Sequence, residues 1–332
     1  MFDRSRAVSY GLDVTLSDGP SKGGSGLGSV PQSLLGVGAP EAPAGYEAFW
    51  RDRYRRALAL DPDPLVRDSG GARNGLRVYY LTYTSTDGVR IGGWILEPES
   101  GMVRRGLVVL HGYGGRSEPD FDLPFRDAVM LFPCARGLGA RSLLPDVPAD
   151  AYGHVLHGIE SRDRYIHGGC VEDVWLSVSA LLRLRPHVAG RIGFLGISFG
   201  GGIGAMAMPW DDRIARGHFS LPSFGNHALR LTLPMNGSGA SVRNILSSTP
   251  AALETLVWHD AATAARYIQQ PVHCACALFD PTVPPAGQFA VYNALAGPKQ
   301  LFVLTAGHHS YPRERVEAAC LLQEINDFFP SN

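Results

Sequence analysis

Arg191-Ile192-Gly193-Phe194-Leu195-Gly196-Ile197-Ser198-Phe199-Gly200-Gly201-Gly202 is a short apolar run that leads at once into a Gly-x-Ser-x-Gly pentad. The run predicts a strand, and the glycines predict a sharp turn into a helix, where small residues let the backbone pass Ser198 without Cβ clashes. A serine displayed on such a turn is a candidate nucleophile. In a chain with 40 glycines the pentad alone carries little weight. Its weight comes from its place between strand and helix, and from what lies downstream.

An alkyl hydroxyl is a poor nucleophile at neutral pH. It needs an imidazole to take its proton, and the imidazole needs a carboxylate to fix its tautomer and stabilise the imidazolium. In α/β sheets that display serine in this way, the three arrive in the order Ser, Asp or Glu, then His, on loops at the carboxyl ends of strands. The chain supplies that order. Asp280 follows the apolar run 274–279 and precedes Pro281, Pro284 and Pro285, and His308 follows the run 300–304 within Ala306-Gly307-His308-His309. Asp260, in Trp258-His259-Asp260-Ala261-Ala262, is the rival carboxylate, but it opens a helical pattern and reads as an N-cap. Gly307 gives the backbone freedom to swing the next side chain toward the strand ends, which favours His308 over His309. His309 then reads as a polar loop residue or a supporting partner.

Charge that develops on a carbonyl oxygen needs preset donors, and the backbone N–H groups of Phe199 and Tyr113 are the expected pair. Tyr113 lies in His111-Gly112-Tyr113-Gly114-Gly115, after the apolar run 106–110. His111 reads as a structural histidine that holds this loop. Arg136 either binds a substrate carboxylate or, as Arg-Gly in such loops more often does, holds neighbouring backbone and acidic groups. Two adjacent histidines without a third ligand do not make a metal site. The glycines after Ser198 lack the Lys-Ser/Thr of a phosphate loop, so no cofactor is expected.

The 332 residues, 45% hydrophobic and 18% charged, suit one large domain. A net charge of -1 offers no field for nucleic acid or an anionic membrane, and a small-molecule substrate fits better. The odd set of five cysteines, with Cys274 and Cys276 on one face of a strand, predicts reduced thiols in a cytoplasmic protein. Neither a secretory leader nor a membrane span is evident. Residues 1–45 are rich in Gly, Ser and Pro and read as an N-terminal arm, wrapped on the domain or disordered; residues 46–332 read as a single domain. Within it, a helix is predicted over 47–60 and a hairpin over 77–96 about Asp87-Gly88. Strands and helices then alternate: helices over 171–184, 251–268, 287–296 and 313–329, and strands over 106–110, 128–133, 215–221, 272–278 and 300–304. That alternation predicts a mostly parallel sheet with helices on both faces.

The residues also carry a family likeness. Tyr46-Glu47-Ala48-Phe49-Trp50, His111-Gly112-Tyr113-Gly114-Gly115, Arg136-Gly137-Leu138-Gly139, Gly196-Ile197-Ser198-Phe199-Gly200-Gly201-Gly202, Asp280-Pro281-Thr282-Val283-Pro284-Pro285 and Gly307-His308 resemble the acetyl xylan esterase and cephalosporin C deacetylase group, carbohydrate esterase family seven. The likeness spans 46–329. It implies an α/β-hydrolase fold, a cytoplasmic enzyme that removes acetyl groups from small sugar or antibiotic esters, and a homo-oligomer, often a ring-shaped hexamer. Ser198, Asp280 and His308 fall on its triad positions, and Tyr113 and Phe199 on its oxyanion positions. The family pattern has Gln where this chain has Leu138, Gln where it has Phe199 and Glu where it has His309. These three and Tyr113 are therefore the expected pocket residues, and an acyl-chain preference different from the deacetylases is expected. The alternatives are the same triad acting on a lactone, thioester or amide, and a non-catalytic protein that has kept the fold.

Overall fold

Strands β1 (Leu65–Arg73), β2 (Leu76–Thr84), β3 (Arg90–Pro98), β4 (Arg105–Leu110), β5 (Ala128–Pro133), β6 (Ile192–Ile197), β7 (Ile214–Ser220), β8 (Val272–Ala277) and β9 (Lys299–Leu304) form one sheet in the order β1-β2-β3-β5-β4-β6-β7-β8-β9. This is a computed structural model, and it describes residues 30–330. From β5 through β4, β6, β7 and β8 to β9 every pairing is parallel. The pairings of β1 with β2, β2 with β3 and β3 with β5 are antiparallel. The expected α/β architecture is therefore present, with an antiparallel flank.

The central strands are unbroken apolar runs because both of their faces are covered. In β4, Val108 and Leu110 join a core containing Trp50, Trp175 and Phe199, while the alternate residues Leu107 and Val109 join a second core with Phe125, Ile325 and Phe328. Helices Tyr46–Leu58 and Ile166–Leu184 contribute to the first core, and helix Glu314–Phe328 to the second.

The predicted helix over 251–268 is two helices, Ala251–Leu256 and Ala261–Ala265. The break is set by Asp260, whose carboxylate accepts from the N–H groups of Ala262 and Thr263 at 2.9 and 3.0 Å. Strand β1 was not anticipated. Its Asp68-Ser69-Gly70-Gly71 segment hides the strand pattern, although Asn74-Gly75, both at positive φ, makes the tight turn into β2. Of the expected arm, residues 1–29 lie outside the described residues. Residues 30–45 lie against the domain, where the carbonyls of Leu34 and Val37 accept from Asn293 Nδ2, both at 2.9 Å, and Gly38 O accepts from Asn226 Nδ2 at 2.8 Å.

A buried polar cluster fastens the antiparallel flank to the rest. The Asp173 carboxylate accepts from Arg136 Nη2 at 2.7 Å, from the Arg136 N–H at 3.0 Å and from Ser85 Oγ at 2.6 Å. Arg136 also reaches Thr86 Oγ1 at 2.9 Å. The cluster joins the β2–β3 turn, the loop after β5 and the helix Ile166–Leu184. Arg136 is thus a structural guanidinium, the second of its two sequence readings: burial opposes its charge, but Asp173 outweighs burial and raises its pKa. Replacing Asp173 by Ala leaves that buried charge with only the exposed Asp87, at 3.7 Å, as an ion-pair partner among the described residues, and should cost about 3–5 kcal/mol in urea unfolding. A loss under about 1 kcal/mol, the range of exposed pairs, would contradict this reading of the cluster.

Candidate active site

Ser198 is the hinge between β6 and the helix Phe199–Ala207, with φ 55° and ψ −112°. An L-residue adopts that backbone only where its surroundings over-determine it, at a cost of about 1–3 kcal/mol. Hydrogen bonds supply the constraint: the Ser198 N–H donates to Ser220 O at 2.8 Å, and Ser198 O accepts from Gly202 and Ser223 N–H at 3.0 and 3.1 Å. The glycines supply the space. A Cβ on Gly196 would stand 2.3 Å from Gly200 O, and one on Gly200 would stand 2.6 Å from Leu110 O. Only bare backbone lets the helix start this close to β4 and β6.

Asp280 and His308 leave the ends of β8 and β9 and meet Ser198 at the same edge of the sheet. His308 Nδ1 donates to Asp280 Oδ2 at 2.6 Å, and Ser198 Oγ donates to His308 Nε2 at 2.8 Å. The carboxylate can only accept when ionised, which fixes the proton of the neutral imidazole on Nδ1 and leaves Nε2 basic toward the serine. Asp280 Oδ1 accepts from the N–H groups of Thr282 and Val283, both at 2.9 Å. Asp280 Oδ2 also accepts from Gln288 Nε2 at 3.0 Å.

Gln288 was missed in the sequence. It is fully buried, donates to Val283 O at 2.7 Å and accepts from the Ala277 N–H at 2.8 Å, so it clamps Asp280 to the end of β8. A glutamine just before the apolar Phe289-Ala290-Val291 was the available signal. Ser223, whose Oγ lies 3.4 Å from Ser198 Oγ, was also missed. Gly307 acts differently from the expectation. His308 itself takes the positive φ of 55°, and Gly307 is needed because a Cβ there would lie 2.5 Å from Asp280 Oδ2. His309 stands beside the triad: its Nδ1 donates to Gly307 O at 2.9 Å, and its ring meets Phe279 edge-on.

Phe199 is the first residue of its helix, so its N–H has no acceptor four residues back within it. The Tyr113 loop is held by His111, whose Nδ1 donates to Gly112 O at 2.6 Å while Nε2 accepts from the Ala135 N–H at 3.0 Å. Burial lowers the pKa of His111 to about 3, helped by the nearby Arg116 charge, so the ring stays neutral in this structural role. Tyr113 Oη lies 2.9 Å from His167 Nε2, and the Tyr113 ring packs on Phe199 with centroids 4.5 Å apart.

Two of the expected pocket residues are corrected by burial. Leu138 and Phe199 have 0% exposure and sit in the core. Phe199 is enclosed by the rings of His111, Tyr113, His154, His167 and Phe224. An apolar ring fills space beneath Ser198 there. Neither side chain forms a pocket wall through which these two departures could alter acyl preference. Among the described residues, no three His, Cys, Asp or Glu side chains are grouped to hold a metal ion, and no helix is long and apolar enough to cross a membrane.

The fold recurs in solved structures. The acetyl xylan esterase from Paenibacillus sp. R4 superposes with a TM-score of 0.79 at 21% identity, covering 89% of this chain and 99% of that one. Acetyl xylan esterase 1 from Thermoanaerobacterium sp. JW/SL YS485 gives 0.77 at 20% identity, with 90% and 99% covered. The acylaminoacyl peptidase of Pyrococcus horikoshii gives 0.60 at 16% identity, covering 77% of this chain and 42% of that one. These likenesses establish the α/β-hydrolase fold. The sequence model of the family described as acetyl xylan esterase (AXE1) matches residues 37–322, most of the chain, and this chain therefore belongs to that family of carboxylic-ester hydrolases.

Proposed function

We propose that the chain hydrolyses short-chain esters, acetyl esters of small sugars first among them, through an acyl-enzyme on Ser198. Ser198 Oγ attacks the ester carbonyl carbon as His308 Nε2 takes the hydroxyl proton, and Asp280 stabilises the imidazolium that forms. The oxyanion of the tetrahedral intermediate accepts from the N–H groups of Phe199 and Tyr113, each contributing about 3 kcal/mol. Collapse expels the alkoxide, which takes the proton from His308. Water then gives a proton to the same nitrogen and attacks the acyl carbon, releasing the acid and restoring Ser198. The observation that carries the reading is the pair of contacts at 2.6 and 2.8 Å that link Asp280, His308 and Ser198. Family membership supports the ester as substrate class, and the names of the two esterases above support the acetyl group and the sugar.

The same reading takes the enzyme as cytoplasmic and oligomeric, with one catalytic domain after residue 45. The five free thiols, four of them buried, support a reducing compartment.

Replacement of Ser198 by Ala should lower turnover of an acetyl ester by about 10⁶-fold, because the triad acts as a unit. Near-normal turnover in that variant refutes the reading. Across acetyl, butyryl and hexanoyl esters of one alcohol, kcat/KM is expected to fall by about 10-fold or more from first to last, the scale on which methylenes are discriminated; a hexanoyl optimum contradicts the substrate class. Sedimentation of the full chain should show an oligomer, and a monomer at micromolar concentration overturns that part.

A further inference from the structure

Arg230 ends the short helix His227–Arg230 and is buried, with 2% of its surface exposed. Among the described residues its Nε has no hydrogen-bond partner, and Nη2 meets the thioether of Met235 at 3.9 Å. Among the described residues no carboxylate lies within ion-pair distance of it. Asp260 acts on the guanidinium with its negative charge and offsets part of the burial, but does not pair with it. Its Oδ1 accepts from the N–H groups of Asn226, Ala262 and Thr263 at 3.2, 2.9 and 3.0 Å, and its Oδ2 accepts from the His227 N–H at 2.6 Å. Each of the other buried arginines has a carboxylate in reach: Arg53 pairs with Glu172 at 2.8 Å, Arg105 with Asp127 at 2.6 Å, Arg136 with Asp173 at 2.7 Å and, more loosely, Arg116 with Asp120 at 3.5 Å.

A guanidinium does not deprotonate to escape burial, so one without a paired anion destabilises the fold until an anion arrives. Arg230 also stands beside the chemistry. Its Cζ lies 5.8 Å from the Phe224 ring, and Phe224 meets the Tyr113 ring edge-on at 6.1 Å. The residue before Phe224 is Ser223, whose hydroxyl is 3.4 Å from Ser198 Oγ. One aromatic ring therefore separates the guanidinium from the surroundings of the nucleophile. Further unpartnered donors or acceptors gather there: Nδ1 of His167, whose ring lies 4.3 Å from Phe224, and Nδ1 of His227, whose ring stacks on Phe224 at 6.2 Å.

We propose that Arg230 is a specificity residue that binds a carboxylate on the substrate, so that the preferred ester is an anion. The proposal rests on the esterase reading above and narrows its substrate class. The carboxylate belongs either to the alcohol half, as in an acetylated hydroxy acid, or to the acyl half, as in a hemiester of a dicarboxylic acid. Guanidinium and carboxylate are matched as planar, bidentate partners, which an ammonium cannot reproduce.

Two substrate pairs separate the sources: phenyl acetate against 3-acetoxybenzoate for the alcohol half, and phenyl butyrate against monophenyl succinate for the acyl half. The wild-type chain should favour the carboxylate member of one pair by about 10-fold or more in kcat/KM, and Arg230→Met should lose that preference through KM, with Arg230→Lys keeping part of it. No preference in either pair, or a preference that survives in Arg230→Met, overturns the proposal. Thermal unfolding separates specificity from support. Arg230→Met should melt at or above the wild-type temperature, because an unmatched buried charge has been removed, and a clear fall shows a structural guanidinium instead. Failure of the esterase reading has its own signature, with all four esters left intact by the wild type. Calorimetric titration with benzoate and with succinate then decides alone: binding of either that is lost in Arg230→Met upholds the carboxylate site, and no binding to the wild type overturns it.

Discussion

The backbone of Ser198 is held in a conformation that an L-residue adopts only under constraint, and the rest of the site is arranged around that constraint. The turn presents the hydroxyl at the sheet edge, puts the next N–H at the start of a helix, and brings the helix within contact distance of β4 and β6. None of these is possible with side chains in the way, since Cβ atoms at Gly196 or Gly200 would overlap backbone oxygens at 2.3 and 2.6 Å. The strain is local and its support is extended. Ser220 at the end of β7 and Ser223 in the following loop hold the Ser198 peptide groups, so Ser198 is anchored to the neighbouring strand as well as its own.

Parallel strands explain why distant residues meet. Every strand from β5 to β9 runs the same way, so the loops after β4, β6, β8 and β9 emerge at one edge with Tyr113, Ser198, Asp280 and His308 upon them. What turns proximity into geometry is the set of contacts behind the triad. Two loop N–H groups and Gln288 hold Asp280, and the bare Gly307 lets the His308 loop close upon it. The low-dielectric surroundings strengthen the charge-assisted bonds in this chain.

The alternation of apolar runs and the glycines around Ser198 made the sheet and the turn at Ser198 legible, because strand, turn and helix each leave a short-range mark. The order of Asp280 and His308 after it was legible for the same reason. Strand β1 was not, since it is exposed along nearly its whole length and Gly70 and Gly71 lie in a register irregularity, so backbone pairing with β2 defines it and no apolar alternation does. The side chains of Leu138 and Phe199 were misread as pocket lining: an apolar residue close to a reactive serine in sequence can point into the core, and direction is a tertiary property. Gln288 and Arg230 were invisible as site residues because each is defined by what it meets after folding. One is a buried amide with its partners present, the other a buried cation with no carboxylate paired to it among the described residues.

The central claim is that Ser198 is the nucleophile, activated through His308 and Asp280. Intact-protein and peptide mass spectrometry after exposure to a fluorophosphonate tests it most directly. The account predicts a single adduct per chain, located on Ser198, whose rate of formation collapses when His308 is replaced by Ala. Labelling of a different residue, or none at all on folded protein, would contradict it.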